Sequence, residues 1–307
     1  MQAQTISGPV LNPSQLDGRL VYASLDRTTG SWSLQQRRAD GVTAPLPVAG
    51  FAQAPDADWG TLRDGTQVLV YSRDDSRGRS RLFLYDPAAQ QEAVIAGSHD
   101  DGREELQPTL WNGTLGFWRR DRDAVDDGEY RLFTLGSDRP SRTVKRLRAG
   151  QSVLGADLNG RGLALTALWR RVGFREVSVQ VKHYNQGFRT VLTAASGELS
   201  SVFLGEPSWR GNHVYWAFAR RADAPRRQIG RAYITQRATE ISTATPPRPS
   251  DARADILGVA ADNSDPASPF WVNTFTAGEE NEDQQSDASL YPLAVGAVRF
   301  PEPAVGL

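Results

Sequence analysis

A turn glycine recurs along this chain at nearly constant intervals. Gly18, Gly65, Gly113, Gly160 and Gly211 are separated by 47, 48, 47 and 51 residues. A further step of similar size reaches Asp262-Asn263, just before an apolar run from Phe270 to Phe275. Such a period marks a repeat architecture, in which each unit buries its apolar face only against its neighbours. The sharpest copy runs from Pro55 to Tyr71. It reads as a short strand ending near Trp59, a turn at Asp64-Gly65 and an apolar strand from Gln67. Pro108, Trp111, Asn112-Gly113 and Phe117 repeat that order, as do Pro207, Trp209, Gly211 and Tyr215. Weaker copies place Pro9 before Asp17-Gly18 and Tyr22, and Leu158 before Asn159-Gly160 and the run Leu163 to Leu165.

Each repeat divides into four strands, A to D. In the second, A covers 54–59, B 67–72, C 81–85 and D 92–96. Val68 and Val70, then Leu82 and Leu84, show the two-residue alternation of half-buried strands. Asp-Gly and Asn-Gly pairs supply the positive backbone angles of tight hairpins. No run has a helical period. The sequence therefore predicts an all-β chain, a six-bladed β-propeller with four-stranded antiparallel blades. It forms a single domain over 1–307, with approximate blades at 5–50, 51–98, 99–150, 151–197, 198–248 and 249–305. Strand D of the sixth blade is expected at 297–300. Trp59, Trp111 and Trp209, at the ends of their A strands, are expected to pack between adjacent blades.

Composition removes several classes of function. The formal net charge of −1 argues against a general nucleic-acid or anionic-membrane binder. No apolar run approaches the roughly 20 residues of a membrane span. The chain has no cysteine, so disulfides, thiolate metal sites and cysteine nucleophiles are excluded. The segment from Met1 to Ser7 lacks the basic start and apolar core of a signal peptide. It reads as a mature N-terminus with a starting Met added, so a periplasmic or extracellular location is expected. His99, His183 and His213 fall in different repeats and show no paired metal spacing. Gly-x-Ser-x-Gly and phosphate-loop motifs are missing from the chain.

The order Pro, Trp, Asp-Gly, a strand ending in an aromatic, then a strand closed by Tyr85-Asp86 resembles the WD40-like repeat of TolB-like six-bladed propellers. A similar repeat occurs in the propellers of prolyl oligopeptidase-type peptidases. The resemblance spans nearly the whole chain and is sharpest in repeats two, three and five. It implies a bacterial scaffold engaging a protein or peptide partner, with no catalytic residues of its own.

Topology puts the D–A and B–C loops of a propeller on one face and the A–B and C–D turns on the other. The long charged B–C loops make the first face the expected binding surface. Trp169, Arg170, Arg171, Phe174 and Arg175, with Arg220, Arg221, Arg226 and Arg227, make blades four and five basic there. Arginine beside aromatics suits carboxylate or anionic-sugar ligands. Asp56, Asp58, Glu104 and Glu105 lie near the starts of inner strands and form an acidic set for the channel mouth. Two such carboxylates across a pocket would serve a glycan-binding or glycan-hydrolysing propeller. Asp121, Asp123 and Asp126 could wrap a Ca²⁺, which would make a Ca²⁺-stabilised structural propeller the third reading. No other cofactor is expected.

Overall fold

The computed structural model describes residues 5–96, 102–121, 128–171, 174–183, 185–196, 203–219, 228–235, 239–246, 254–265, 267–276 and 288–300. Among them every regular element except one 3₁₀ turn is a β-strand, and no helix is long and apolar enough to cross a membrane. Blade one comprises β1 (Val10–Leu16), β2 (Arg19–Asp26), β3 (Ser31–Arg37) and β4 (Thr43–Pro45). Blade two comprises β5 (Ala57–Thr61), β6 (Gln67–Asp74), β7 (Ser80–Asp86) and β8 (Gln91–Val94). Blade three has β9 (Arg103–Trp111), β10 (Thr114–Asp121), β11 (Gly128–Thr134) and β12 (Arg142–Arg146). Blade four has β13 (Gln151–Asn159), β14 (Gly162–Arg171), β15 (Phe174–His183) and β16 (Phe188–Ser196). In blade five the inner strand is split into β17 (Phe203–Leu204) and β18 (Ser208–Arg210), followed by β19 (His213–Ala219), β20 (Gln228–Ile234) and β21 (Thr239–Ala244). Blade six contains β22 (Ala254–Ala260), β23 (Phe270–Thr276) and β24 (Ser289–Leu293). Every strand pairing is antiparallel and joins sequence neighbours, except that β17 and β18 both pair β19, giving the six-bladed propeller expected from the repeat.

The turns form as their residues dictate. Asp17-Gly18 and Asn112-Gly113 all carry positive φ, between 46° and 72°, as a two-residue hairpin loop of type I′ requires. Between blades, the apolar faces interlock. Trp59 of blade two is 3% exposed and packs into a cluster with Val21 and Leu34 of blade one and with Phe51. Trp209 of blade five is fully buried among Ala164, Val177, Val179 and Val191 of blade four. Trp111 is half-buried, touching the clusters on both of its sides.

The sixth blade departs from expectation. Residues 295–297 form a 3₁₀ turn, so the strand predicted at 297–300 does not form. The outer edge of β24 is instead met by the chain's other end. Ile6 N donates to Leu290 O at 2.7 Å, and Leu290 N donates to Ile6 O at 2.9 Å. Residue 6 thus belongs to the last blade and not the first, and the ring is closed by pairing the two termini. Ile6 also packs on the cluster formed by Val10, Tyr22, Trp271 and Leu290.

Substituting Ile6→Pro removes the N–H donor without removing the residue. It should lower unfolding stability by about 1–3 kcal/mol, the cost of orphaning the Leu290 carbonyl and misdirecting the edge. Equilibrium urea unfolding measures this. An unchanged midpoint would mean the terminal pairing does not hold the ring.

Candidate functional site

The inner strands present two positions each to the central channel, at two levels. The outer level holds Asn12, Asp56, Gln107, Gly155, Glu206 and Gly258. The inner level holds Ser14, Asp58, Thr109, Asp157, Ser208 and Ala260. Steps of 44, 51, 48, 51 and 52 residues separate the outer set. The strand is interrupted locally to make this possible. Register shifts interrupt β1 between Leu11 and Ser14, β13 between Val153 and Gly155, and β22 between Ile256 and Gly258, and another falls where β9 pairs β10. Asn12 and Gln107 adopt φ near +50° immediately before Pro13 and Pro108, and Glu206-Pro207 splits the strand of blade five. Proline has no N–H to lose, so it sits at such a break at low cost.

Inner-level side chains tie each blade to the next. Ser14 Oγ accepts from Trp59 N at 3.1 Å, and Asp58 Oδ2 accepts from Leu110 N at 2.9 Å. Thr109 Oγ1 accepts from Leu158 N at 2.9 Å, Asp157 Oδ2 from Trp209 N at 2.6 Å and Ser208 Oγ from Ala261 N at 2.9 Å. The same bond is thus made five times, always to the residue after the next blade's equivalent position. The sixth position is Ala260, which has no oxygen to offer. At that seam Asp262 takes over, accepting from Asp17 N at 3.0 Å and Gly18 N at 2.7 Å.

The carboxylates are further engaged by neutral donors. Asn12 Nδ2 donates to Asp56 Oδ1 at 3.0 Å, and Gln107 Nε2 to Asp56 Oδ2 at 2.8 Å. Ser14 Oγ donates to Asp58 Oδ1 at 2.6 Å, and Thr109 Oγ1 to Asp58 Oδ2 at 2.9 Å. Glu206 has no hydrogen-bond partner among the described residues. Its side chain lies over Gly155, where an added Cβ would come within 2.3 Å of Glu206 Cγ, so only glycine leaves it room. Asn12, Ser14, Asp56, Asp58, Gln107 and Glu206, with Asp157, line a cavity of about 60 Å³.

No Lys or Arg is among the described residues that line this cavity. Desolvation raises Asp56 to about 7 and Asp58 to about 6, against an ordinary 3.8. Asp157 is pushed well up by desolvation and by the Asp58 charge. Glu206 is raised by desolvation, then by the charges of Asp56 and Asp58. These four groups form an acid cluster held toward its neutral form.

Of the acidic residues expected at the channel mouth, Asp56 and Asp58 line the cavity and Glu104 and Glu105 do not. Glu105 is fully buried against Arg119 at 2.9 Å, and Glu104 is paired with Arg120 at 2.8 Å. Both belong to ion pairs between β9 and β10. Trp169 is engaged locally, its Nε1 donating to Ala149 O at 3.2 Å. Arg170 is exposed beside it, and its backbone pairs with Arg175 as Arg171 pairs with Phe174 at the end of the β14–β15 hairpin. Arg220, Arg221, Arg226 and Arg227 lie outside the described residues, as do Asp123 and Asp126. Asp121 is exposed at the end of β10. Among the described residues no three His, Asp or Glu side chains gather as a metal site would need. Asn12, Gln107, Asp157 and Glu206 were missed in the sequence. The signal was present in Asn12-Pro13-Ser14, Gln107-Pro108-Thr109 and Glu206-Pro207-Ser208, with Asp56-Ala57-Asp58 and Gly155-Ala156-Asp157 in step. The proline that belongs to this series in blade one is Pro13, not Pro9.

No family model and no curated protein matches the chain. Solved structures do match in fold. TolB from Acinetobacter baumannii superposes with a TM-score of 0.53 at 14% identity, over 92% of this chain and 66% of that one. A putative TolB from Agrobacterium tumefaciens gives 0.54 at 13% identity, over 97% and 99%. The β-propeller domain of the Trilobed protease from Pyrococcus furiosus gives 0.53 at 8% identity, over 98% and 100%. The chain therefore has the TolB-like six-bladed propeller fold, and the same fold occurs in a protease.

Two outcomes are expected from the channel. Asp58→Ala strands the Leu110 N–H and the Ser14 and Thr109 hydroxyls, and should cost about 2–3 kcal/mol in chemical denaturation. Asp56 tests the titration. Between pH about 4 and 7 the unfolded chain gives up this proton while the folded chain keeps it, so stability falls as pH rises through that window. The melting temperature of Asp56→Asn should fall less from pH 4 to pH 7 than that of the wild type. Parallel curves would show that Asp56 does not carry the effect.

Proposed function

We propose that this protein is a non-catalytic binding scaffold. It receives a basic segment of a protein or peptide partner at the mouth of its central channel. The observation that carries this reading is Glu206, an acid with no hydrogen-bond partner among the described residues, beside Asp56 and Asp58 in a cavity that no described Lys or Arg lines. A lysine, arginine or N-terminal ammonium entering there would meet a carboxylate not already engaged. Its charge would draw the raised acids back to their ionised form, so binding releases protons and tightens as pH rises. TolB-like propellers share the fold, and the long B–C loops would form the rim around the entering segment. The partner is expected in the periplasm or outside the cell.

The glycan-hydrolysing alternative needs a general acid and a second carboxylate free to act as base or nucleophile. Both oxygens of Asp56 and of Asp58 are already taken by neighbouring side chains. Of the remaining two acids, Asp157 accepts from Trp209 N at 2.6 Å through Oδ2 and from Thr109 Oγ1 at 3.5 Å through Oδ1, so Glu206 lacks a second carboxylate without hydrogen bonds to act with, which favours binding over hydrolysis.

Short peptides carrying one Lys or Arg should bind by calorimetry, more tightly at pH 7.5 than at pH 5.5, where neutral analogues should not. Glu206→Gln should weaken binding about tenfold, since it removes a charge-assisted hydrogen bond. Equal binding of the neutral peptides, or of the variant, would overturn the assignment.

A further inference from the structure

The face that carries the A–B and C–D turns of blades four and five has a second cavity, of about 440 Å³, between those blades. Gly160 and Arg161, in the turn from β13 to β14, form one wall together with His183, Asn185 and Gln186 at the end of β15. Asn212, Tyr233, Ile234 and Thr235 of blade five form the other. The two walls are pinned to each other at their base. Asn159 Nδ2 of blade four donates across to Gly211 O at 3.1 Å, while within the blade-five wall Ile234 N donates to Asn212 O at 2.8 Å.

Three features of the lining point the same way. Its formal charge is positive, because Arg161 is present and no Asp or Glu is among the described residues that line it. The Arg161 side chain is exposed and its guanidinium has no partner among the described residues, while its backbone N–H is fixed by Asn159 Oδ1 at 2.8 Å. Two polar atoms of the walls, His183 Nε2 and Asn212 Oδ1, are buried without a hydrogen bond. Buried polar atoms without partners are rare in folded proteins and cost stability, so each calls for a partner from outside the chain, a water or a ligand. Asn212 Oδ1 can only accept, so its partner must bring an O–H or N–H.

We infer that this inter-blade cavity is a binding site for a small carboxylate that carries a hydrogen-bond donor beside it. The guanidinium of Arg161 takes the carboxylate in two parallel N–H···O bonds, and the adjacent hydroxyl or amide N–H satisfies Asn212. Two sources have this chemistry: a free hydroxy acid such as a uronic acid, and the C-terminus of a peptide, whose carboxylate is flanked by its last amide N–H. The site lies on the A–B and C–D face, so it is separate from the carboxylate-lined cavity and independent of the basic-segment reading.

The test titrates the intact protein by calorimetry with glucuronate and with N-acetylglycine. Glucose and N-acetylglycinamide serve as neutral controls. Saturable binding of either acid, absent from its neutral control, is expected; which acid binds identifies the source. Arg161→Gln should weaken it at least tenfold. Asn212→Asp, which puts a negative charge at the wall beside the ligand's own, should abolish it. Both positions lie in hairpin turns, and far-UV circular dichroism checks that the variants fold. Glu206→Gln should leave the affinity unchanged, which separates this site from the channel. Failure of both acids to bind overturns the proposal, and so does binding that ignores the Arg161 and Asn212 substitutions.

Discussion

One hydrogen bond, made over and over, holds this ring together: a backbone N–H of each inner strand reaches a side-chain oxygen of the blade before it. The inner edge of every sheet faces the channel, and an unpaired strand edge is costly to bury and prone to wrong pairings. Ser14, Asp58, Thr109, Asp157 and Ser208 satisfy part of that edge and fix the height of each blade against the next. The buried tryptophans supply the apolar area between blades, but apolar packing is non-directional. The oxygen belt adds the direction.

The belt also separates what the fold needs from what the channel does. Three of its five members are hydroxyls, so uncharged oxygens suffice for the bond. Asp58 and Asp157 could have been serines without loss of the backbone contact. With Asp56 and Glu206 they instead concentrate acidic groups where desolvation holds them toward the neutral form. That arrangement costs folding energy and no part of the belt requires it. Groups that oppose folding and persist in a cavity are where function is sought.

How much of this could be read from the chain depended on the kind of signal. Turn glycines were legible, because only a positive backbone angle fits a tight hairpin, and they gave the blade count. Asp56 and Asp58 were legible as acids near the start of an inner strand. Glu104 and Glu105 looked equivalent, but β9 starts earlier than β5 and carries a bulge, which places them beside Arg119 and Arg120. The belt was hidden because it conserves an oxygen and not a residue type: Ser, Asp and Thr alternate, and the sixth member is Ala260. The pairing of Ile6 with Leu290 left no trace, since it uses backbone atoms that every residue carries.

That last pairing has a consequence for how the molecule comes into being. The first residues emerge from the ribosome long before their partner strand has been synthesised. Until then the sheet that will seal the circle lacks its outermost member, and the chain stays an open arc. Any domain fused ahead of residue 6 would therefore hang from the seam itself, so a pull on it would be felt first at the join.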